Sequence, residues 1–331
     1  MPTIYDIARL SGVSKSTVSR VLNHHPYVSE EKRHKVLKAV EELQFTQNAR
    51  AVQFRLQQSN QVGIIVPTLH HPYFSQLVSA LSLECNNHGL KTAVYQTFGS
   101  RELEKEVYAH LRNKELDAVI LASSIFSDRE IAAYADEYPV VACNEDFPGD
   151  RFDVFCMDEE AAVFEATDFL LESGKTKLIF CTDHMDHPSQ QSRLRGFKRA
   201  HESRGLPCDP KYIFDGISSI EDGIELGSKL FLGPDHPDGA VAGSDFVAAG
   251  LIKSASANNV KIPDDLAVFG FDNHPVSLVT EPQLSTISNS IEEMSRDLVR
   301  RLQNRIKGDR TEPYQKKIYK GNLIKRGSTA L

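Results

Sequence analysis

The sequence of 331 residues predicts a small helix-turn-helix head followed by an α/β body of two doubly wound lobes. In residues 1–46 the apolar side chains recur at helical spacing and a glycine breaks the first run. From Val62 onward short apolar runs alternate with amphipathic stretches, the pattern of parallel sheets covered by helices on both faces. That alternation runs through twice, so a cleft is expected between two lobes, at the carboxyl ends of their strands.

Composition narrows the function classes. With 40% hydrophobic and 25% charged residues the chain reads as an ordinary water-soluble protein of two or three domains. No apolar run approaches eighteen residues, so no membrane helix and no membrane partner are expected. Met1-Pro2-Thr3-Ile4-Tyr5-Asp6 has neither the basic start nor the apolar run of a secretory leader. Cys85, Cys143, Cys156, Cys181 and Cys208 are odd in number and widely spaced, which fits a reducing cytoplasm better than a disulfide scaffold.

Charge is unevenly spread. Residues 1–60 hold nine Lys/Arg against five Asp/Glu, a net +4, which leaves −11 for the rest of a chain whose total is −7. A basic head on an acidic body points to a polyanion for the head alone.

Within the head, Thr3 and Asp6 have the spacing of a capping box, and Ile4, Ile7 and Ala8 fall on one helical face. Ser11-Gly12-Val13 ends this helix, because Gly12 reaches positive φ at no steric cost. Ser14 caps a second helix with Val18, Val21 and Leu22 on its apolar stripe, so Lys15, Ser16, Ser19 and Arg20 face outward. Ser29 begins a third helix, with Glu30 and Glu31 in its first turn and Val36, Val40 and Leu43 on its buried face. Two short helices joined by a tight turn make a helix-turn-helix, whose second helix enters the major groove.

The run Ile4-x-Asp6-Ile7-Ala8-x-x-Ser11-Gly12-Val13-Ser14-x-Ser16-Thr17-Val18-Ser19-Arg20-Val21-Leu22-Asn23 resembles the DNA-binding signature of the LacI/GalR family of bacterial regulators. The resemblance implies that Lys15, Ser16 and Arg20 read bases, while Tyr5, Ser14, Thr17, Ser19 and Asn23 contact or position the phosphates. The chemistry suits both roles. Lys or Arg donates to guanine O6/N7, and hydroxyls and amides fix register on the backbone. The segment Asn23–Arg33 is similar to that of maltose/maltodextrin regulators.

Phe45–Phe54 matches the family's hinge, with departures: Phe45 for Tyr, Gln47 for Pro, Val52 for Arg and Phe54 for Leu. The resemblance implies a hinge helix formed on DNA, with Asn48, Ala51 and Phe54 at the minor groove. An apolar wedge there unstacks a base step and kinks the duplex. Phe54 is the expected wedge, with Leu56 the alternative.

Strands are predicted near Val62–Val66, Thr92–Tyr95, Ala118–Leu121 and Val140–Cys143, then near Lys177–Cys181, Tyr212–Phe214, Ala240–Ala242 and Ala267–Phe271. Between them helices are predicted near Phe74–His88, Arg101–Asn113 and Asp128–Glu137, then near Ser192–Ser203, Glu221–Leu232 and Phe246–Asn258. The family resemblance continues through His71-Pro72-Tyr73-Phe74, Arg193-Leu194-Arg195-Gly196-Phe197, Ser244-Asp245 and Gly270-Phe271-Asp272-Asn273. It implies a body similar to periplasmic sugar-binding proteins, with Arg193 and Asp272 as effector ligands. Tyr73 and Phe74 offer an apolar face for a sugar ring, and Asn144 and Asp245 complete the candidates, with satisfying a loop the alternative role for either. Ser244 stands where the family carries Asn. The expected organisation is a head over 1–46, a hinge helix and linker over 47–60, and an effector-binding and dimerising body over 61–331. Lobe 1 is expected over about 61–158 and 289–317, and lobe 2 over about 159–288 and 318–331.

The sequence therefore predicts a cytoplasmic, homodimeric repressor of a carbohydrate operon. Its partners are palindromic operator DNA and a small effector, a sugar, bound without any cofactor. A purine or a phosphoprotein corepressor is the alternative ligand. An enzyme is disfavoured, because no paired nucleophile and base and no metal set can be named. Asp183-His184-Met185-Asp186-His187 reads as a polar loop rather than a metal site, and no tetramerising heptads are expected at the C-terminus.

Overall fold

A computed structural model describes residues 2–22, 25–45, 58–233, 236–309 and 311–329. The chain divides into two compact units, 1–58 and 59–331.

The head is three helices, α1 (Ile4–Ser11), α2 (Lys15–Leu22) and α3 (Glu30–Glu42). The Asp6 carboxylate accepts the Thr3 N–H at 2.9 Å and its hydroxyl at 2.8 Å, which starts α1. Gly12 ends it at φ 68°. The Ser14 hydroxyl accepts the Thr17 N–H at 3.2 Å and so satisfies a free donor at the start of α2. Ile7, Val18, Val21, Val36 and Ala39 close into one core, with Ile4, Ala8, Val40 and Leu43 packed around it.

The body holds two six-stranded sheets. The first runs β11-β5-β4-β3-β1-β2, with β1 (Gln61–Val66), β2 (Lys91–Gln96), β3 (Ala118–Leu121), β4 (Val140–Cys143), β5 (Asp153–Met157) and β11 (Lys316–Tyr319) all parallel. Helices α4 (Pro72–Asn87), α5 (Arg101–Arg112), α6 (Asp128–Ala135) and α11 (Ile291–Ile306) cover it. The second runs β12-β10-β9-β8-β6-β7, from β6 (Leu178–Cys181), β7 (Ile213–Phe214), β8 (Gly239–Ala242), β9 (Ala267–Phe271), β10 (Ser285–Ser288) and β12 (Asn322–Ile324). Only β12 is antiparallel among the pairings of this sheet. Helices α7 (Glu159–Glu172), α8 (Pro188–Ser203), α9 (Ile220–Leu230) and α10 (Asp245–Ala257) flank it.

The chain passes between the sheets three times, at 157–159, 288–291 and 319–322. Hydrogen bonds lace the crossings together: Asp158 N–H donates to the Tyr319 carbonyl at 2.9 Å, and the Ser290 hydroxyl to the Lys320 carbonyl at 3.1 Å. The first sheet keeps β11 to Tyr319, two residues beyond the 317 expected from sequence.

Several elements differ from the sequence expectation. Helices α4 and α8 begin at Pro72 and Pro188, ahead of the expected Phe74 and Ser192, because proline at the first helical position lacks only an N–H that has no partner there. The elements β5, α7, β10, α11, β11 and β12 were not anticipated.

Helices within the second lobe cross at glycine. A Cβ on Gly196 of α8 would lie 2.2 Å from the Glu160 carbonyl oxygen of α7, and one on Gly250 of α10 would lie 2.2 Å from the Ile220 carbonyl of α9. Backbone on the facing helix cannot yield as a side-chain tip can. Gly196→Ala is expected to destabilise the body by about 1–3 kcal/mol. Calorimetry would register this as a lower midpoint for the body transition, whereas an unchanged midpoint would mean that α7 and α8 can separate freely.

Candidate effector cleft and DNA-facing helix

The cleft is built from the carboxyl ends of strands and the first turns of helices. Tyr73 and Phe74 open α4 after β1, Asn144 follows β4, Glu159 opens α7, Arg193 lies on α8 and Asp272 follows β9. The charges of Glu159, Asp272 and Arg193 all act on the Tyr73 hydroxyl, so residues of both lobes meet here. Enclosure pushes that hydroxyl well above the ordinary tyrosine range, and it stays protonated as a donor. A narrow hollow beside it is lined by Tyr73, Met157, Glu159, Asn289, Ser290 and Tyr319. A second hollow, near Tyr138, Arg305 and Tyr314, holds an arginine already committed to Asp153 and lies away from these groups.

Arg193 is 8% exposed and fully engaged on three sides. Its Nε donates to Glu159, its Nη1 donates to the Gly243 carbonyl at 2.9 Å, and its guanidinium lies 3.6 Å over the Phe271 ring. Burial raises the Glu159 carboxyl above its usual value even with the arginine beside it.

Asp272 and Asn273 adopt positive φ, 97° and 49°. Such backbone costs of order 1–3 kcal/mol per residue and persists only where its surroundings over-determine it. Here they do: Asp272 N–H donates to the Ile287 carbonyl at 2.9 Å, Asn273 N–H to the Thr286 hydroxyl at 3.2 Å and His274 N–H to Asp245 Oδ2 at 2.6 Å. The Asn289 amide donates to Asp272 Oδ1 at 2.7 Å.

Asp245 takes the loop-holding role, bonded to His274 N–H and the Thr286 hydroxyl. It is fully buried, its Oδ1 accepts from the Thr286 hydroxyl at 2.6 Å, and it packs against Gly270, where a Cβ would lie 2.2 Å from Oδ1. A carboxyl group in that position holds the Asp272–His274 loop from beneath. Asn144 likewise turns inward, at φ 72°, with its amide donating to the Ala122 carbonyl at 3.2 Å. Phe74 packs on the first lobe's core and edge-on to Tyr73. Ser244 caps α10 by accepting the Val247 N–H at 3.3 Å. Glu159 and Asn289, which hold the two charged cleft residues, were not among the candidates. Their only sequence signal is a place in or just before the first turn of a helix. Among the described residues no group of three or more His, Cys, Asp or Glu side chains could hold a metal.

On the head, Lys15, Ser16 and Arg20 are exposed on one helix. The Ser14 hydroxyl bonds those of Ser16 at 2.8 Å and Thr17 at 2.9 Å, so this first turn is ordered without a ligand. Tyr5 is exposed, and Thr17 and Ser19 are half-buried. Asn23, Asn48, Ala51 and Phe54 lie outside the described residues.

A helix-turn-helix unit joined to a two-lobed, binding-protein-like body defines a ligand-responsive transcriptional regulator. Residues 3–48 match the model for bacterial regulatory proteins of the lacI family, and residues 167–329 match that for a periplasmic binding protein-like domain. The NTD biosynthesis operon regulator NtdR of Bacillus subtilis (strain 168) is 37% identical over 93% of this chain and 94% of its own length. The chain belongs to the LacI family of bacterial regulatory proteins and is a DNA-binding transcriptional regulator controlled by an effector, not an enzyme. A LacI family regulator from Lactobacillus casei with bound glucose is 28% identical, covering 81% of this chain and 99% of its own, with a TM-score of 0.73. The lac repressor dimer bound to operator and the anti-inducer ONPF shares the fold over 100% of this chain and 99% of its own, at a TM-score of 0.88 and 22% identity. No helix among the described residues is long and apolar enough to cross a membrane.

Burial pushes the Asp245 carboxyl up to about 8, and Asp272 nearby adds to the effect. An acid raised in the folded state binds more protons folded than unfolded, so its contribution to stability is full at low pH. It is lost as pH rises from the unfolded value of about 4 through 8. Asp245→Asn, which can donate to the Thr286 hydroxyl and still accept the His274 N–H, is expected to flatten that decline. Urea titrations of both proteins from pH 5 to 9 would read the difference, and parallel slopes would count against a protonated Asp245.

Proposed function

We propose that the protein is a cytoplasmic homodimer that represses a carbohydrate-utilisation operon. A sugar bound at Tyr73, Arg193 and Asp272 controls its affinity for a pseudo-palindromic operator. The observation that carries this reading is the pairing of an anchored guanidinium with an anchored carboxylate across from a tyrosine hydroxyl. Sugar hydroxyls both donate and accept, so a fixed donor and a fixed acceptor suit them better than either alone. The glucose bound to the Lactobacillus casei relative supports the same class. Asp245 and Asn144 serve the site indirectly, by holding the loops that carry it.

Dimerisation is supported by apolar side chains left open on the body. Leu83 on α4 is 61% exposed, Val94 lies on the edge strand β2, and Val279 is 80% exposed. Two heads are also needed to gather enough phosphate contacts for tight binding. Lys15, Ser16 and Arg20 read bases, Tyr5, Ser14, Thr17, Ser19 and Asn23 position the backbone, and Asn48, Ala51 and Phe54 meet the minor groove. A thermal-shift screen of glucose, cellobiose, sucrose, maltose and purine bases identifies the effector, since a ligand of the folded state raises stability. A shift with purines alone would replace the sugar reading.

Operator affinity is expected to fall steeply with salt, because bound Lys and Arg displace condensed counterions. Anisotropy titrations from 50 to about 200 mM salt test this, and a flat response would contradict phosphate-dominated binding.

Asp272→Asn keeps an acceptor for Asn289 and is the cleanest probe of the switch. It is expected to leave effector-free operator affinity near wild type and to weaken effector binding by about 1.5–3 kcal/mol. Arg193→Ala is a poorer probe, since it strands the buried Glu159 carboxylate; Arg193→Met combined with Glu159→Gln avoids that. Operator titrations with the effector from the screen supply the measurement. An undiminished response in both variants would place the effector elsewhere.

A further inference from the structure

We infer that Tyr5 sets DNA specificity by holding Lys15 in its base-reading position. This rests on the assignment of Lys15 as a base reader. The Lys15 ammonium lies 3.4 Å from the centroid of the Tyr5 ring. Tyr5 stands in the first turn of α1 and Lys15 in the first turn of α2, so the contact spans the helix-turn-helix from one helix start to the other.

Packing does not explain the aromatic at position 5. Tyr5 is 64% exposed and takes no part in the head core formed by Ile7, Val18, Val21, Val36 and Ala39. A neighbouring carboxylate does not explain the position of Lys15 either. Asp6 is taken up by the Thr3 N–H and hydroxyl and by Arg9.

The kind of contact matters for DNA. An acid beside Lys15 would hold it but cancel its charge and repel phosphate. The negative face of an aromatic ring holds a cation without neutralising it. The ammonium has three donors, and those turned away from the ring stay free for a guanine O6 or N7. A free lysine samples many rotamers, and fixing one before DNA arrives reduces the ordering needed on binding. The neighbouring Ser16 is fixed in the same way, by the Ser14 hydroxyl at 2.8 Å. Two adjacent side chains of the reading surface are thus set by contacts internal to the head.

The full-length protein and a randomised duplex pool test this, with Tyr5→Phe, Tyr5→Leu, Lys15→Ala and the double variant Tyr5→Leu/Lys15→Ala. Phenylalanine keeps the ring and removes the hydroxyl; leucine removes the ring. Tyr5→Phe is expected to select the wild-type consensus. Tyr5→Leu is expected to lose preference at the same single position per half-site as Lys15→Ala, and to bind the consensus operator about 2- to 5-fold more weakly. The double variant should be no less selective at that position than Lys15→Ala alone. Thermal unfolding and circular dichroism, both near wild type, would show that the variants are folded. If Tyr5→Leu keeps the wild-type preference there while Tyr5→Phe weakens binding to all sequences alike, Tyr5 acts on the phosphates alone and the inference fails. If Tyr5→Leu binds more tightly, the ring sequesters Lys15 and the inference also fails. An unchanged consensus for Lys15→Ala would remove the base-reading assignment beneath it.

Discussion

A guanidinium keeps its proton at any pH a protein tolerates, so burying Arg193 forces its surroundings. A charge taken from water must be paired and hydrogen-bonded or the fold is lost. Glu159 supplies the counter-charge, the Gly243 carbonyl a further acceptor, and Phe271 a face for the planar group to lie on. Those partners come from α7, from the end of β8 and from β9. One buried cation therefore fixes three elements of the second lobe around the cleft.

The partner of each charged cleft residue comes from a crossing between lobes. Glu159 lies at the end of the first crossing and Asn289 within the second, where it holds Asp272. The crossings are in turn tied to one another through Asp158, Tyr319, Ser290 and Lys320. A ligand shifts an equilibrium only by its differential affinity for the two states. Side chains anchored on the segments that join the lobes are well placed to have such a difference, because any change between the lobes must pass through those segments.

Local rules made the head legible. Thr3 with Asp6, Gly12 and Ser14 each act within four residues, and each does in the structure what its spacing implied. Partners distant in sequence were not legible. Arg193 and Glu159 are 34 residues apart, and an acid in a first helical turn already has a sufficient local explanation in the helix dipole. Asp245 left two readings open for a related reason: a carboxylate after a strand looks the same in sequence whether it faces a ligand or straps the next loop. Helix α7 was obscured because apolar residues lie all round it: Ala161, Phe164 and Phe169 add to the buried face of Ala162, Val163, Ala166, Leu170 and Leu171 and blur any single stripe. Helix α11 has a plain stripe in Ile291, Met294, Leu298 and Leu302, but it lies beyond the two runs of alternation on which the strand and helix expectations rested.

The two functional surfaces are organised by opposite solvent regimes. In the cleft, charges are buried, so every one is tied down by partners that no ligand supplies, and strain at Asp272 and Asn273 is carried by the Asp245–Thr286 strap. On the head, Lys15 and Arg20 are exposed, where salt bridges are worth little and the proposed DNA contacts need the charge intact. Order there comes from contacts that leave charge uncompensated: hydroxyl to hydroxyl at Ser14, Ser16 and Thr17, and cation to ring at Lys15 and Tyr5. A carboxylate partner suits Arg193 because burial would otherwise be prohibitive. It would defeat Lys15 in its proposed role, where the charge has to remain available to DNA.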